Sequence, residues 1–105
     1  MKLYQIDDLL EVCKYGSFSK AADALLVSRP AVSRAMKDLE DEFGVAIFQR
    51  TTTGVVPTEA GEIILEKSKK ISHLLGELRS EVSALKSSED DQNDHVGDDV
   101  VEIHR

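Results

Sequence analysis

The sequence predicts a mostly α-helical domain with one small β-hairpin, followed by a long terminal helix. Three observations point to that fold class. Apolar residues recur at helical spacing from Leu3 to Tyr15 and from Pro30 to Glu40. The stretch from Val45 to Pro57 instead combines β-branched and aromatic residues with turn-forming Thr and Gly. Beyond Thr58, apolar positions alternate steps of three and four as far as Leu85.

The elements follow in order. Ile6, Leu9, Leu10 and Cys13 stand at i, i+3, i+4 and i+7, so Leu3 to Tyr15 forms an amphipathic helix that Gly16 ends. That spacing makes Cys13 a core residue; for a reactive thiol, only Lys14 in its helix neighbourhood could lower its pKa. Ser19 is the expected N-cap of a second helix, whose Ala21, Ala22 and Leu25 form a face of mostly small residues open to close packing. After a short turn, Ser28 caps a third helix with Pro30 in its first turn, where a missing N–H costs little. Val32, Ala35, Met36 and Leu39 mark its buried stripe, and Gly44 stops it. Val45 to Gln49 is the expected first strand, Arg50 to Gly54 the turn, and Val55 to Pro57 a short edge strand. Thr58 then caps the long helix, whose stripe runs Gly61, Ile64, Ser68, Ile71, Leu75, Leu78, Val82 and Leu85.

Length and charge narrow the function. A chain of 105 residues has room for one small domain. A single cysteine allows no intramolecular disulfide and no Cys-rich metal site. The first residues lack the long apolar region of a signal peptide, and no run approaches the ~18 apolar residues of a membrane span, so a soluble cytoplasmic protein is expected. The net charge of −7 is unevenly placed: residues 1–86 carry 12 Lys/Arg against 13 Asp/Glu, whereas residues 87–105 carry one Arg against seven acids. The acidity therefore belongs to the tail, and the body of the chain is close to neutral.

On the third helix, Arg29, Pro30, Ser33, Arg34 and Lys37 line the face opposite the buried stripe. The plainer interpretation is a solvated surface on which Arg34 and Lys37 pair with Asp38 and Asp41 four residues on. The sharper one follows from context, because a short helix, a tight turn and a second helix with a polar, basic N-terminal half form the arrangement that enters a DNA major groove. The hairpin tip adds Arg50 and the hydroxyls of Thr51, Thr52 and Thr53, groups suited to phosphate oxygens, although three threonines in a hairpin are also ordinary β chemistry.

These residues also carry a resemblance. Gly16-Ser17-Phe18-Ser19 with Ala21-Ala22, Val27-Ser28-x-Pro30-Ala31-Val32-Ser33-Arg34, Leu39-Glu40, Phe43-Gly44-Val45, Phe48-x-Arg50 and Thr58-Glu59-Ala60-Gly61 are similar to the amino-terminal segment of LysR-type transcriptional regulators. The likeness spans residues 1 to about 86 and implies a winged helix-turn-helix followed by a linker helix. It further implies that Arg29, Pro30, Ser33 and Arg34, introduced by Ser28 and followed by Lys37, face base edges, with Arg50 and the threonines forming the wing. The family commonly carries glutamine where Arg29 stands; arginine would favour guanine N7 and O6, or a phosphate. The family also continues into a large effector-binding domain, for which this chain has no room, so a regulator without its own ligand-sensing domain is expected.

The expected organisation is a winged helix-turn-helix over 1–58, a linker and dimerisation helix over 59–86, and an acidic disordered tail over 87–105, acting as a spacer or as a polyanion that competes with DNA. The long helix would span ~43 Å, too long to bury its stripe on so small a domain. Ile64, Ile71, Leu75, Leu78, Val82 and Leu85 are therefore assigned to dimerisation. The expected partners are double-stranded DNA and a second copy of the chain, or alternatively a full-length LysR-type protein in a heterodimer. No enzyme activity, cofactor or metal is expected: His73, His95 and His104 stand at no metal-ligand spacing, and a calcium-loop register on Gly97 places Val96 and Ile103 where oxygen ligands are needed.

Overall fold

Each helix begins and ends where local chemistry directs it. The computed structural model describes residues 1–88 as α1 (Leu3–Tyr15), α2 (Phe18–Leu25), α3 (Arg29–Phe43), β1 (Phe48–Thr51), β2 (Gly54–Pro57) and α4 (Glu59–Ser88). From residue 89 onward, the predicted tail lies outside the described residues. Gly16 and Gly44 close α1 and α3 in the left-handed conformation, with their N–H groups donating to the carbonyls of Val12 and Glu40. Ser28 caps α3 by accepting the Ala31 N–H at 3.2 Å. The cap of α2 is Ser17 rather than Ser19: its extended backbone lets Oγ accept the Lys20 N–H, so the helix already begins at Phe18.

The first strand starts later than Val45, and hydrogen bonding explains the shift. Val45 donates to the carbonyl of Glu40, and Ile47 donates to the Glu40 carboxylate at 2.8 Å while its carbonyl accepts from Thr58 N–H at 2.9 Å. These backbone groups therefore connect α3 to α4 and are unavailable to the ladder. Pairing runs antiparallel from Phe48 opposite Pro57 to Thr51 opposite Gly54.

The core gathers Leu9 and Val12 of α1, Ala21 and Ala22 of α2, Val32, Ala35, Met36 and Leu39 of α3, and Ile47. Cys13 and Ile64 pack against its margin. Two glycines permit backbones to approach. A Cβ on Gly61 would collide with the carbonyl oxygen of Ile47, and one on Gly54 with that of Gly16. Gly16 also accepts the Val55 N–H at 3.0 Å, which docks the hairpin onto the α1–α2 turn.

α4 leaves this body behind. Thr58 caps it by accepting the Gly61 N–H at 2.9 Å, and its 30 residues span about 45 Å at 1.5 Å per residue. Gly61 and Ser68 are buried, whereas Leu74, Leu78, Val82 and Leu85 are all more than half exposed. Among the described residues, no helix is long and apolar enough to cross a membrane.

Two opposite stability changes are expected. Gly61→Ala should destabilise the fold by ~1–3 kcal/mol, because neither backbone can yield cheaply. Leu26, the exposed αL residue that ends α2 at φ 60°, should behave in the reverse sense: Leu26→Gly relieves the left-handed penalty and should raise stability by ~0.5–1 kcal/mol. Urea unfolding of the two variants reads both; stabilisation by Gly61→Ala would mean that α4 does not sit against Ile47.

Candidate nucleic-acid interface

Arg29, Pro30, Ser33, Arg34 and Lys37 all lie exposed along the first nine residues of α3, on the side away from Val32, Ala35, Met36 and Leu39. The first turn of α3 contains no acid, so the positive end of the helix dipole adds to the side-chain cations. Lys37 is paired with Asp41 at 3.3 Å across one helical turn, as the solvated-surface interpretation anticipates, although both groups are well exposed and the pair is weak. Arg34 differs. Neither it nor Arg50 forms an ion pair among the described residues.

The hairpin stands beside this helix. Ser33, Lys37 and Glu40 of α3 and Gln49 and Arg50 of β1 line one groove of about 190 Å³, together with Phe18 and Phe48. This spacing holds the helix face and the hairpin side by side without filling the gap between them. The tip is a two-residue loop, Thr52-Thr53, and the hydroxyl of Thr51 is occupied inside it. Thr51 Oγ1 accepts the N–H groups of Thr53 and Gly54 at 3.3 and 3.1 Å, and lies 3.2 Å from the Gly54 carbonyl, to which it can donate. Of the three threonines expected to present hydroxyls outward, Thr51 thus braces the turn, while Thr52 and Thr53 remain exposed at the tip.

Ser28 has its hydroxyl oxygen engaged as the α3 cap. Side chains absent from the expected interface also line this groove, among them Gln49, Glu40 and Phe18, whose ring meets Phe48 edge-on and lies 6.0 Å from the Arg29 guanidinium. Phe18 is apolar at a helix start and carried no signal of its own beyond its place in the Gly-Ser-Phe-Ser motif.

The stripe assigned to dimerisation divides along α4. Ile64 is half-buried against the core of its own domain, Leu75 is partly covered, and Ile71 borders on exposure. Leu78, Val82 and Leu85 project into solvent, joined by Leu74, which the strict a/d stripe had omitted. Among the described residues, no group of His, Cys, Asp or Glu could hold a metal ion.

A helix-turn-helix with an adjoining hairpin and an exposed cationic helix face defines the winged-helix class of DNA-binding domains. Residues 3–62 match the family described as "Bacterial regulatory helix-turn-helix protein, lysR family", and the chain belongs to that family. It is 39% identical over 77 residues to the HTH-type transcriptional regulator TdcA of Escherichia coli (strain K12), covering 73% of this chain and 25% of TdcA. Its structure resembles that of the CbnR DNA-binding domain in a DNA complex, with a TM-score of 0.75 at 32% identity over 81% of this chain and 98% of that one. The BenM DNA-binding domain in complex with catB site 1 DNA gives a TM-score of 0.79 at 27% identity, covering 84% and 95%. The chain thus spans about a quarter of the length of the curated relative but nearly the whole of the two isolated DNA-binding domains.

Cys13 is half-buried and packs against the margin of the core. Burial, with a smaller contribution from Glu62 and partial opposition from Lys69, raises its thiol to about 11. The neutral thiol is therefore retained far above physiological pH. Alkylation by iodoacetamide near pH 8 should be slow in the native protein and become fast on unfolding in urea. Because the unfolded thiol loses its proton first, stability should also fall as pH rises from about 9 to about 11. Equal alkylation rates in the folded and unfolded protein would mean that Cys13 is not packed against the core at all.

Proposed function

We propose that this chain binds double-stranded DNA sequence-selectively as a homodimer and thereby regulates transcription. The observation that carries the proposal is the alignment of two chemically different contact surfaces on one side of the domain: the N-terminal face of α3 and the cationic hairpin across the groove. In this arrangement α3 enters the major groove, with Arg29, Pro30, Ser33 and Arg34 toward base edges. Arg50, Thr52 and Thr53 reach the flanking backbone. Arginine can bridge guanine O6 and N7 in a bidentate contact, whereas a hairpin cation on phosphate positions without reading sequence. The DNA complexes of the CbnR and BenM domains support this docking by likeness.

Dimerisation is supported by the energetics of α4. A helix is marginal in water without an apolar face to bury, and the C-terminal half of α4 finds no such partner within its own chain among the described residues. Pairing two copies would cover Leu74, Leu78, Val82 and Leu85, each worth up to ~1.5–3 kcal/mol when fully buried. A dimer also places two recognition helices on two half-sites, so that each weak contact gains from the tethering of the other.

Duplexes enriched by the chain from a random-sequence library provide the test. Arg34→Ala should lose ~1–3 kcal/mol of discrimination between the enriched duplex and a scrambled one. Arg50→Ala should weaken both duplexes about equally and lower the salt slope by about one. Equal weakening of both duplexes by Arg34→Ala would reassign it to phosphate, and an unchanged salt slope would remove Arg50 from the backbone contact.

Replacing Leu78 and Val82 together by Asp should yield folded monomers with much weaker DNA binding, read by sedimentation equilibrium and titration. Retention of a dimer by that variant would move the interface elsewhere.

A further inference from the structure

Phe18 borders the groove between α3 and the hairpin, yet it is not among the side chains assigned to contact DNA.

Phe18 opens α2 and is half-buried, with one surface toward α3 and another toward the hairpin. The guanidinium of Arg29 lies over its ring, 6.0 Å from the centroid. Its ring also meets Phe48 edge-on, with centroids 5.8 Å apart and planes at 77°, a favoured aromatic geometry. Phe48 and Arg50 lie two residues apart on β1, hence on the same face of the strand. One aromatic ring therefore lies within cation–π range of the side chain that opens α3 and packs edge-on against the strand that carries the hairpin cation.

The type of contact matters for what Arg29 can do. An acidic partner would neutralise the charge and occupy the N–H donors that a guanine contact requires. A ring face attracts the cation while consuming none of those donors. It also restricts a long, flexible side chain before DNA arrives, so that less rotamer freedom is lost on binding. We propose that Phe18 is a positioning residue that pre-orients Arg29 for base recognition and couples it to the wing through Phe48. The proposal rests on the DNA-binding function above, and it adds a source of specificity that lies outside the direct DNA contacts.

A double-mutant cycle tests it, using the duplex enriched by the wild-type chain from a random library and a scrambled duplex of equal composition. The quantity read is the ratio of the two affinities, which is insensitive to the folded fraction because unfolding weakens both equally. Phe18→Leu should reduce that ratio about two- to five-fold for each bound domain, the range expected from a solvent-accessible cation–π contact. The salt slope should stay unchanged, because no charge is removed. Phe18→Tyr, which keeps the ring, should restore the wild-type ratio, and Phe18→Leu should have no further effect on the ratio in an Arg29→Ala background. Should Phe18→Leu fail to fold, Phe18→Met, which keeps bulk without a π face, replaces it in the same cycle. Independent, multiplying effects of the Phe18 and Arg29 substitutions would overturn the proposal, as would a Phe18→Tyr variant that discriminates no better than Phe18→Leu. Failure of the wild-type chain to enrich any duplex is a different result: it would overturn the DNA-binding function itself, and this inference with it.

Discussion

Ile47 is the point on which the arrangement of α3, the hairpin and α4 depends. Its side chain is fully buried, its N–H is held by the Glu40 carboxylate, and its carbonyl accepts from Thr58. Burial of such a side chain contributes ~1.5–3 kcal/mol, and a hydrogen bond to a charged acceptor adds a comparable amount. Gly61 extends the same constraint to α4 by allowing that helix to lie directly against the Ile47 carbonyl. The three elements that carry the exposed α3 face, the hairpin cation and the exposed apolar stripe of α4 thus converge on one residue between α3 and β1.

From that anchor the hairpin gains a second support at Gly16, whose carbonyl accepts from Val55 while Gly54 gives the backbones room to approach. A two-stranded hairpin alone is marginal in water. Here it is braced at its base by Ile47 and Thr58, along its strand by Gly16, and at its tip by the Thr51 hydroxyl. That bracing lets a short, mostly exposed hairpin keep Arg50 in place beside α3. The cations on this side of the domain are handled in different ways: Lys37 pairs with an acid, Arg29 lies 6.0 Å from the Phe18 ring centroid, and Arg34 and Arg50 form no ion pair within the described residues. Groups left without an acid are the ones with most to gain from phosphate or base edges.

Charge placement gives the same picture at larger scale. A chain with an overall charge of −7 can present a cationic helix face because most of its excess acid lies beyond residue 86. What DNA meets at short range is the local distribution, since interactions beyond a Debye length of ~8–10 Å are largely screened.

The boundaries of α1 and α3, the caps at Ser28 and Thr58, the left-handed glycines and the buried stripe of α3 were all legible in the sequence, because each is set by residues within one or two turns. The outward face of α3 followed from the same periodicity. Where the outcome depended on partners far along the chain, local chemistry was insufficient. Val45 to Ile47 has strand-forming composition, yet its backbone bonds to Glu40 and Thr58, and the ladder begins only at Phe48. Ser17 and Ser19 are both capable caps, and the backbone conformation at Ser17 selected between them. Ile64 fits the heptad as well as Leu78 does, but only packing assigns the first to the body of the domain and leaves the second in solvent. The sequence alone determined the local signals of turns, caps and periodicity; the tertiary structure decided which of several equivalent side chains meets a partner, because hydrogen bonds and burial between distant segments exist only once the chain has folded.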